Sequence, residues 1–221
     1  MLDETVMRIV SGAWVAVLSP RGAALIELRH DETVVTTSSW VGASQWFSGS
    51  TLFPWVNRLA DGAWQLTARK LKAPINDNQN NCANHGLVFD RDFRIVARTD
   101  SAITFAITLE PSDAYPAALN LTVTYTLTDT GLTVTYELSN PGHTPMPFAI
   151  GGHPYLLADQ DSVLEFEAHG RVEVDERLLP TDISSIDRTP TLLEVANRKH
   201  YTDACFTGLG RDASGIASAH L

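Results

Sequence analysis

The sequence predicts an all-β chain folded as an antiparallel β-sandwich, on three observations. Apolar residues alternate with Thr, Ser and Asn, the alternating runs are short, and Gly, Pro and Asp punctuate them. Helix-type spacing of apolar residues is scarce along the whole chain. In order, the first strand-like runs are Trp14 to Leu18, Ala24 to Leu28 and Thr33 to Thr37. The segment from Gly49 to Gly62 lacks strand alternation and carries Pro and Gly too often for a helix, so it reads as an ordered loop. Phe93 to Ala97 and Ile103 to Leu109 are the next strands.

The clearest element is a hairpin. Leu119, Leu121, Val123, Tyr125 and Leu127 alternate with Asn120, Thr122, Thr124 and Thr126. After Thr128-Asp129-Thr130-Gly131, the period of two resumes at Leu132, Val134, Tyr136 and Leu138. Side chains two apart share one face of a strand, so both strands are expected to bury one face. Val163 to Ala168 and Arg171 to Asp175 follow as strands, and Leu179 to Pro190 reads as a long loop.

Composition narrows the classes. A chain of 221 residues with 44% hydrophobic content can bury one large core, and the expected domain count is one, spanning 1–221. A net charge of −10 lacks the basic footprint of a nucleic-acid binder. Met1-Leu2-Asp3-Glu4 is acidic where a signal peptide is basic, and no apolar run approaches the roughly 20 residues of a membrane span. The expectation is a soluble cytoplasmic protein with no membrane partner. Cys82 and Cys205 fit neither a disulfide scaffold nor a metal knuckle and read as thiols.

Two histidines stand in shaped surroundings, in Asn84-His85-Gly86 and Gly151-Gly152-His153-Pro154-Tyr155. Histidine exchanges a proton near neutral pH, and Gly or Pro beside it lets the backbone turn and present the ring. Taken alone, His85 reads as a turn histidine satisfying a carbonyl. Its polar neighbourhood, Asn76-Asp77-Asn78-Gln79-Asn80-Asn81, is expensive to bury and predicts a surface or a wet cleft. His153 ends the apolar run Pro147-Phe148-Ala149-Ile150 and reads as functional.

Within the Gly49 to Gly62 loop, Phe53 and Trp55 precede the polar pair Asn57-Arg58. Apolar ring faces beside directed donors are what a polyhydroxylated ring requires, and a core-capping loop with a surface arginine is the other reading. Asp203, between Tyr201 and Phe206, reads as a carboxylate partner or as a turn aspartate. Neither cysteine has protease-type surroundings, and neither H-x-H nor H-E-x-x-H occurs, so no metal is expected.

The order Asn57-Arg58, Asn84-His85-Gly86, Gly152-His153-Pro154-Tyr155, Asp203 resembles the aldose 1-epimerases, or galactose mutarotases, over essentially the whole chain. The resemblance implies a β-sandwich of the galactose mutarotase type with a sugar cleft. It implies that His153 and His85 are the catalytic residues, His153 as the general acid at the ring oxygen and His85 near the ring and anomeric oxygens. It further implies that Arg58 and Asp203 hold hydroxyls, with Asn57 and Tyr155 as neighbouring binding residues. Anomers interconvert when a base takes the anomeric proton while an acid protonates the ring oxygen, the ring opens and the carbonyl rotates. Such chemistry needs no cofactor, and the expected partner is an aldohexose.

The family's general base is a glutamate beyond the portion matched by this chain, and no glutamate here follows Glu194, which precedes the Asp203 motif. The resemblance therefore implies a chain lacking the family's C-terminal portion, with Gly215 to Leu221 reading as the start of a strand. Three functions follow: aldose 1-epimerase on a hexose such as glucose or galactose, hexose-6-phosphate 1-epimerase, and carbohydrate binding without turnover. The second requires a basic cluster at the cleft mouth, for which Arg69, Lys70 and Lys72 are the candidates.

Overall fold

The computed structural model describes residues 6–36, 47–159, 162–186, 191–194 (backbone only) and 204–221, and among them there is no α-helix. Contacts divide the chain into two compact units, Met1–Leu157 and Ala158–Leu221. In the first unit, β1 (Met7–Ser11), β2 (Trp14–Ser19), β3 (Ala24–His30) and β4 (Thr33–Val34) form one antiparallel sheet in chain order. Short strands follow: β5 (Thr51–Leu52), β6 (Arg58–Ala60), β7 (Ala63–Leu66), β8 (Arg69–Lys72) and β9 (Cys82–Asn84). A second four-stranded antiparallel sheet then runs β10 (Arg94–Arg98), β11 (Ala102–Leu109), β12 (Leu119–Thr128), β13 (Gly131–Ser139), and β14 (Gly151–Gly152) closes the unit.

The predicted hairpin is the spine of this unit. β12 and β13 pair from Asn120↔Ser139 to Thr128↔Gly131, so Asp129 and Thr130 make the turn. Burial along β12 alternates as the sequence does, and Leu119, Leu121, Val123, Tyr125 and Leu127 all lie in the core. There they meet Ile103 and Phe105 of β11 and, from the first sheet, Ile9, Ala16 and Leu18. Two antiparallel sheets thus face each other across one apolar layer, the sandwich the alternation predicts. Full burial of each such aliphatic or aromatic side chain contributes about 1.5–3 kcal/mol. The Tyr125 hydroxyl, inside this layer, donates to the Ala23 carbonyl at 2.7 Å, so its polar end is satisfied.

The second unit holds two three-stranded antiparallel sheets. One orders β18 (Thr191–Glu194), β15 (Val163–Phe166) and β20 (Ala219–His220); the other orders β17 (Pro180–Ser185), β16 (Gly170–Val174) and β19 (Cys205–Thr207). Here a sequence expectation fails: much of the Leu179 to Pro190 stretch is strand β17, paired with β16. Proline at the first position of an edge strand removes no ladder bond, which is why Pro180 is tolerated there.

The Gly49 to Gly62 segment is a second correction, since it contributes β5 and β6 where a loop is expected. One of its aromatics turns fully inward and the other is partly buried. Phe53 is fully buried in the main core, and Trp55 packs on Ala73, Ala83 and Ala114 with its indole N–H on the Ala83 carbonyl at 3.3 Å. Phe53 is therefore part of the core and not of a sugar-facing platform.

Candidate functional site

One segment brings the two histidine motifs together. Through β5 it pairs with β14, Thr51 opposite Gly152 and Leu52 opposite Gly151. The pairing extends past both ends, with the His153 N–H on the Ser50 carbonyl at 3.1 Å and the Gly49 N–H on the His153 carbonyl at 2.8 Å. Through β6 the same segment pairs with β9, Arg58 opposite Asn84. Between these pairings Phe53 bridges Gly86, and its carbonyl accepts the Leu87 N–H at 2.7 Å. A Cβ on Gly86 would fall 2.1 Å from the Phe53 carbonyl oxygen, and φ there is +83°, so Asn-His-Gly ends in the one residue that fits.

The imidazoles of His85 and His153 therefore stand edge to face with ring centroids 5.1 Å apart. Tyr155 lies 5.2 Å from His153, its ring tilted to the imidazole. Phe47 sets its ring 4.7 Å from His85 and 6.2 Å from His153, backed by Phe89 at 4.7 Å. Behind the histidine turn, the Tyr136 hydroxyl sits 2.8 Å from where a Cβ of Gly152 would be, and burial pushes that phenol above its usual range.

Arg58 is held from two sides. Its Nε donates to Asp77 Oδ2 at 2.9 Å and its Nη1 to Asn57 Oδ1 at 3.3 Å, with both charged side chains mostly buried. Burial alone would raise the Asp77 pKa, but hydrogen bonds from Asn80 and Arg58 outweigh it and hold the carboxyl below the ordinary aspartate value. Asn57, at φ 64°, also receives the Arg58 backbone N–H on Oδ1 at 2.9 Å. Its main chain faces His85: the Asn57 N–H donates to Nδ1 at 3.1 Å, and the Asn57 carbonyl accepts the His85 N–H at 3.1 Å.

The asparagine run is a bracket for this corner. Asn76 Nδ2 donates to the Asn84 carbonyl at 2.8 Å while its Oδ1 accepts the Asn84 N–H at 2.6 Å, so one side chain imitates a ladder partner for β9. Burial, then the neighbouring His153 and Arg58, push the His85 pKa down to about 4. At neutral pH His85 is uncharged beside the guanidinium.

Of the residues expected in the site, the structure joins Asn57, Arg58, His85, His153 and Tyr155 in one corner of the first unit. Asp203 lies outside the described residues. Sequence reasoning missed Asp77, Phe47 and Tyr136; only Asp77, the one acid in a run of amides, carried any signal. Arg69, Lys70 and Lys72 are exposed on β8. Lys72 lines a cavity of about 740 Å³ with Arg91, Glu110 and Asp113, and Arg69 lines another of about 440 Å³; neither cavity is lined by Arg58, His85, His153 or Tyr155. Among the described residues, no group of three His, Cys, Asp or Glu side chains is arranged to hold a metal ion.

Two imidazoles beside an anchored guanidinium and aromatic rings can bind a hydroxyl-rich ring and move a proton on it. The family model for aldose 1-epimerase matches residues 6–219. The chain belongs to the aldose 1-epimerase family. The uncharacterized protein YihR of Escherichia coli (strain K12) is 35% identical over 144 residues, 63% of this family member and 47% of YihR, so the match spans about half of that relative. The solved GalM/aldose epimerase homologue from C. elegans superposes with a TM-score of 0.75 at 21% identity, covering 90% of this chain and 68% of its own. A galactose mutarotase-like protein from Lactobacillus casei gives a TM-score of 0.71 at 24% identity, covering 86% and 67%. Galactose 1-epimerase from Lactobacillus acidophilus gives 0.68 at 18% identity, covering 89% and 68%. At such identities these likenesses establish the mutarotase-type β fold of this family member.

Proposed function

We propose that the chain acts as an aldose 1-epimerase, interconverting the α and β anomers of a hexose such as glucose or galactose. The observation that carries this reading is the corner itself: two imidazoles 5.1 Å apart beside an arginine held by Asp77 and Asn57. In this reading His153 protonates the ring oxygen, His85 flanks the reacting atoms, Arg58 and Asp203 hold hydroxyls, and Tyr155 lines the sugar beside His153. Ring opening then breaks the bond between the anomeric carbon and the ring oxygen as His153 gives that oxygen a proton and the anomeric hydroxyl gives its proton to solvent, a well-placed carrier such as His153 contributing about 10²- to 10⁴-fold.

Polarimetry on freshly dissolved α-glucose and α-galactose is the test. Faster approach to anomeric equilibrium than in buffer is expected, and an unaltered rate with both sugars overturns the reading. The placement of Lys72 and Arg69 on other cavities favours a neutral hexose over a hexose 6-phosphate. A rate with glucose 6-phosphate well above that with glucose reverses this preference. Sugar binding seen by calorimetry with no change in the polarimetric rate would instead support carbohydrate binding without turnover.

A further inference from the structure

We propose that His85 works as a fixed hydrogen-bond donor and not as a proton carrier, its Nε2–H tautomer locked by the main chain of Asn57. A backbone N–H needs a lone pair to donate into, and the Asn57 N–H points at His85 Nδ1 at 3.1 Å. Nδ1 therefore carries no proton, and a neutral imidazole keeps its single hydrogen on Nε2. The bond is one half of a reciprocal pair, since the His85 N–H returns to the Asn57 carbonyl at 3.1 Å.

The lock is built from backbone shape. Asn57 and His85 both occupy the left-handed region, at φ 64° and 61°, and they flank the Arg58↔Asn84 pair of β6 and β9. Asparagine enters that region more readily than most residues other than glycine. Protonating Nδ1 would set two N–H donors against each other and place a second positive charge beside Arg58 and His153. Among the described residues, the titratable groups that act on His85 are Arg58 and His153, with Asp77 already engaged by Arg58.

This assigns work within the corner. His85 offers Nε2–H to an acceptor oxygen, and proton transfer falls to His153. Asn57 becomes a positioning residue for both neighbours, its main chain holding His85 and its Oδ1 holding Arg58. The identity of the acceptor as a sugar oxygen rests on the epimerase reading above; the tautomer does not.

The experiment is nitrogen-15 histidine spectroscopy on the full 221-residue chain between pH 5 and 8, with His85 assigned by the signals lost in His85→Gln. Expected is a protonated Nε2 and an unprotonated Nδ1, unchanged across the range. An Nδ1–H tautomer, or a titration within that range, overturns the proposal. Asn57→Gly keeps the main-chain N–H at a φ that glycine adopts and removes Oδ1, so the tautomer is expected to persist while sugar affinity falls; a switched tautomer overturns the lock. In polarimetry, losing a preorganised donor in His85→Ala is expected to lower turnover by about 10² to 10³-fold. Glutamine supplies a neutral donor near the Nε2 position, so His85→Gln is expected to stay within roughly tenfold of the native rate. A glutamine variant as slow as the alanine variant would return His85 to proton transfer. Should the native chain neither bind nor turn over sugar, the epimerase reading fails while the spectra still decide the tautomer.

Discussion

The β11–β13 meander and the corner at His85 and His153 are made of the same chain by opposite means. The meander has strands of 8 to 10 residues, continuous register and alternate burial. The corner has strands of two or three residues, with Phe47, Asn57 and His85 at positive φ and side chains substituting for ladder bonds. Repetition gives the first region its stability, because each residue does what its second neighbour does. Single residues with several duties define the second, and no neighbour replaces them. Substitutions are therefore expected to divide, with meander changes read in stability and corner changes read in function.

The largest expected effect is at His153. His153→Ala should slow anomer interconversion by about 10²- to 10⁴-fold, as polarimetry would show, with sugar affinity altered much less. A melting temperature within a few degrees of the native one is expected alongside. An unchanged rate would remove His153 from the acid role.

Next comes the opposite case in the meander. Phe105 is fully buried among Ile103, Val123 and Tyr125, so Phe105→Ala should lower the free energy of unfolding by about 3–5 kcal/mol through lost burial and a residual cavity. Urea denaturation measures it. At a temperature where the variant remains folded, turnover should be near native, and a folded but inactive variant would break the division between the regions.

These two positions were not equally legible. Phe105 announces itself by period two, and so does every inward residue of β12. His153 was legible for another reason, because Gly151-Gly152 and Pro154 mark a turn that only a special backbone needs. What stayed hidden depends on partners distant in sequence. Asp77 is one polar residue in a run of amides until β6 brings Arg58 to it, and Phe47 has no motif at all. Phe53 stayed open between two readings because adjacency to a polar pair does not say which way a ring points, and burial in the main core decided it. β17 was hidden by Pro180, whose tolerance depends on the strand being at an edge.

Asp77→Asn sharpens the comparison inside the corner. It leaves an uncompensated, mostly buried Arg58, and sugar affinity should fall by roughly tenfold, with KM moving more than kcat. Equal affinity in isothermal titration would show that Asn57 alone suffices to aim the guanidinium.

Acid separates the two regions without mutation. His85 has a folded pKa of about 4 against an ordinary 6.5, so between those values the unfolded chain binds the proton more readily. Its contribution is full above about pH 6.5 and is lost as pH falls toward 4. Asp77 is depressed below 3.8, so its contribution is present above that value and is lost as pH falls through its lower folded pKa. Stability measured by urea should decline from pH 6.5 to 4, and His85→Gln should flatten that decline. A slope unchanged in the variant would place the titrating group elsewhere.

The smallest effect probes the polar face of the meander. Thr104 on β11 and Thr124 on β12 are directly paired, and their hydroxyls meet at 3.0 Å. Thr104→Val keeps the shape and β preference of the side chain while removing one side of that bond, so the cost should be about 0.2–1 kcal/mol. Turnover and sugar affinity should match the native chain, because the change leaves Asn57, Arg58, His85 and His153 as they are. Equilibrium urea unfolding paired with polarimetry reads both quantities on one preparation. If turnover fell tenfold while stability moved by less than 1 kcal/mol, the meander would carry function on that face, and the line between a region that supports and a region that acts would have to be redrawn through β11.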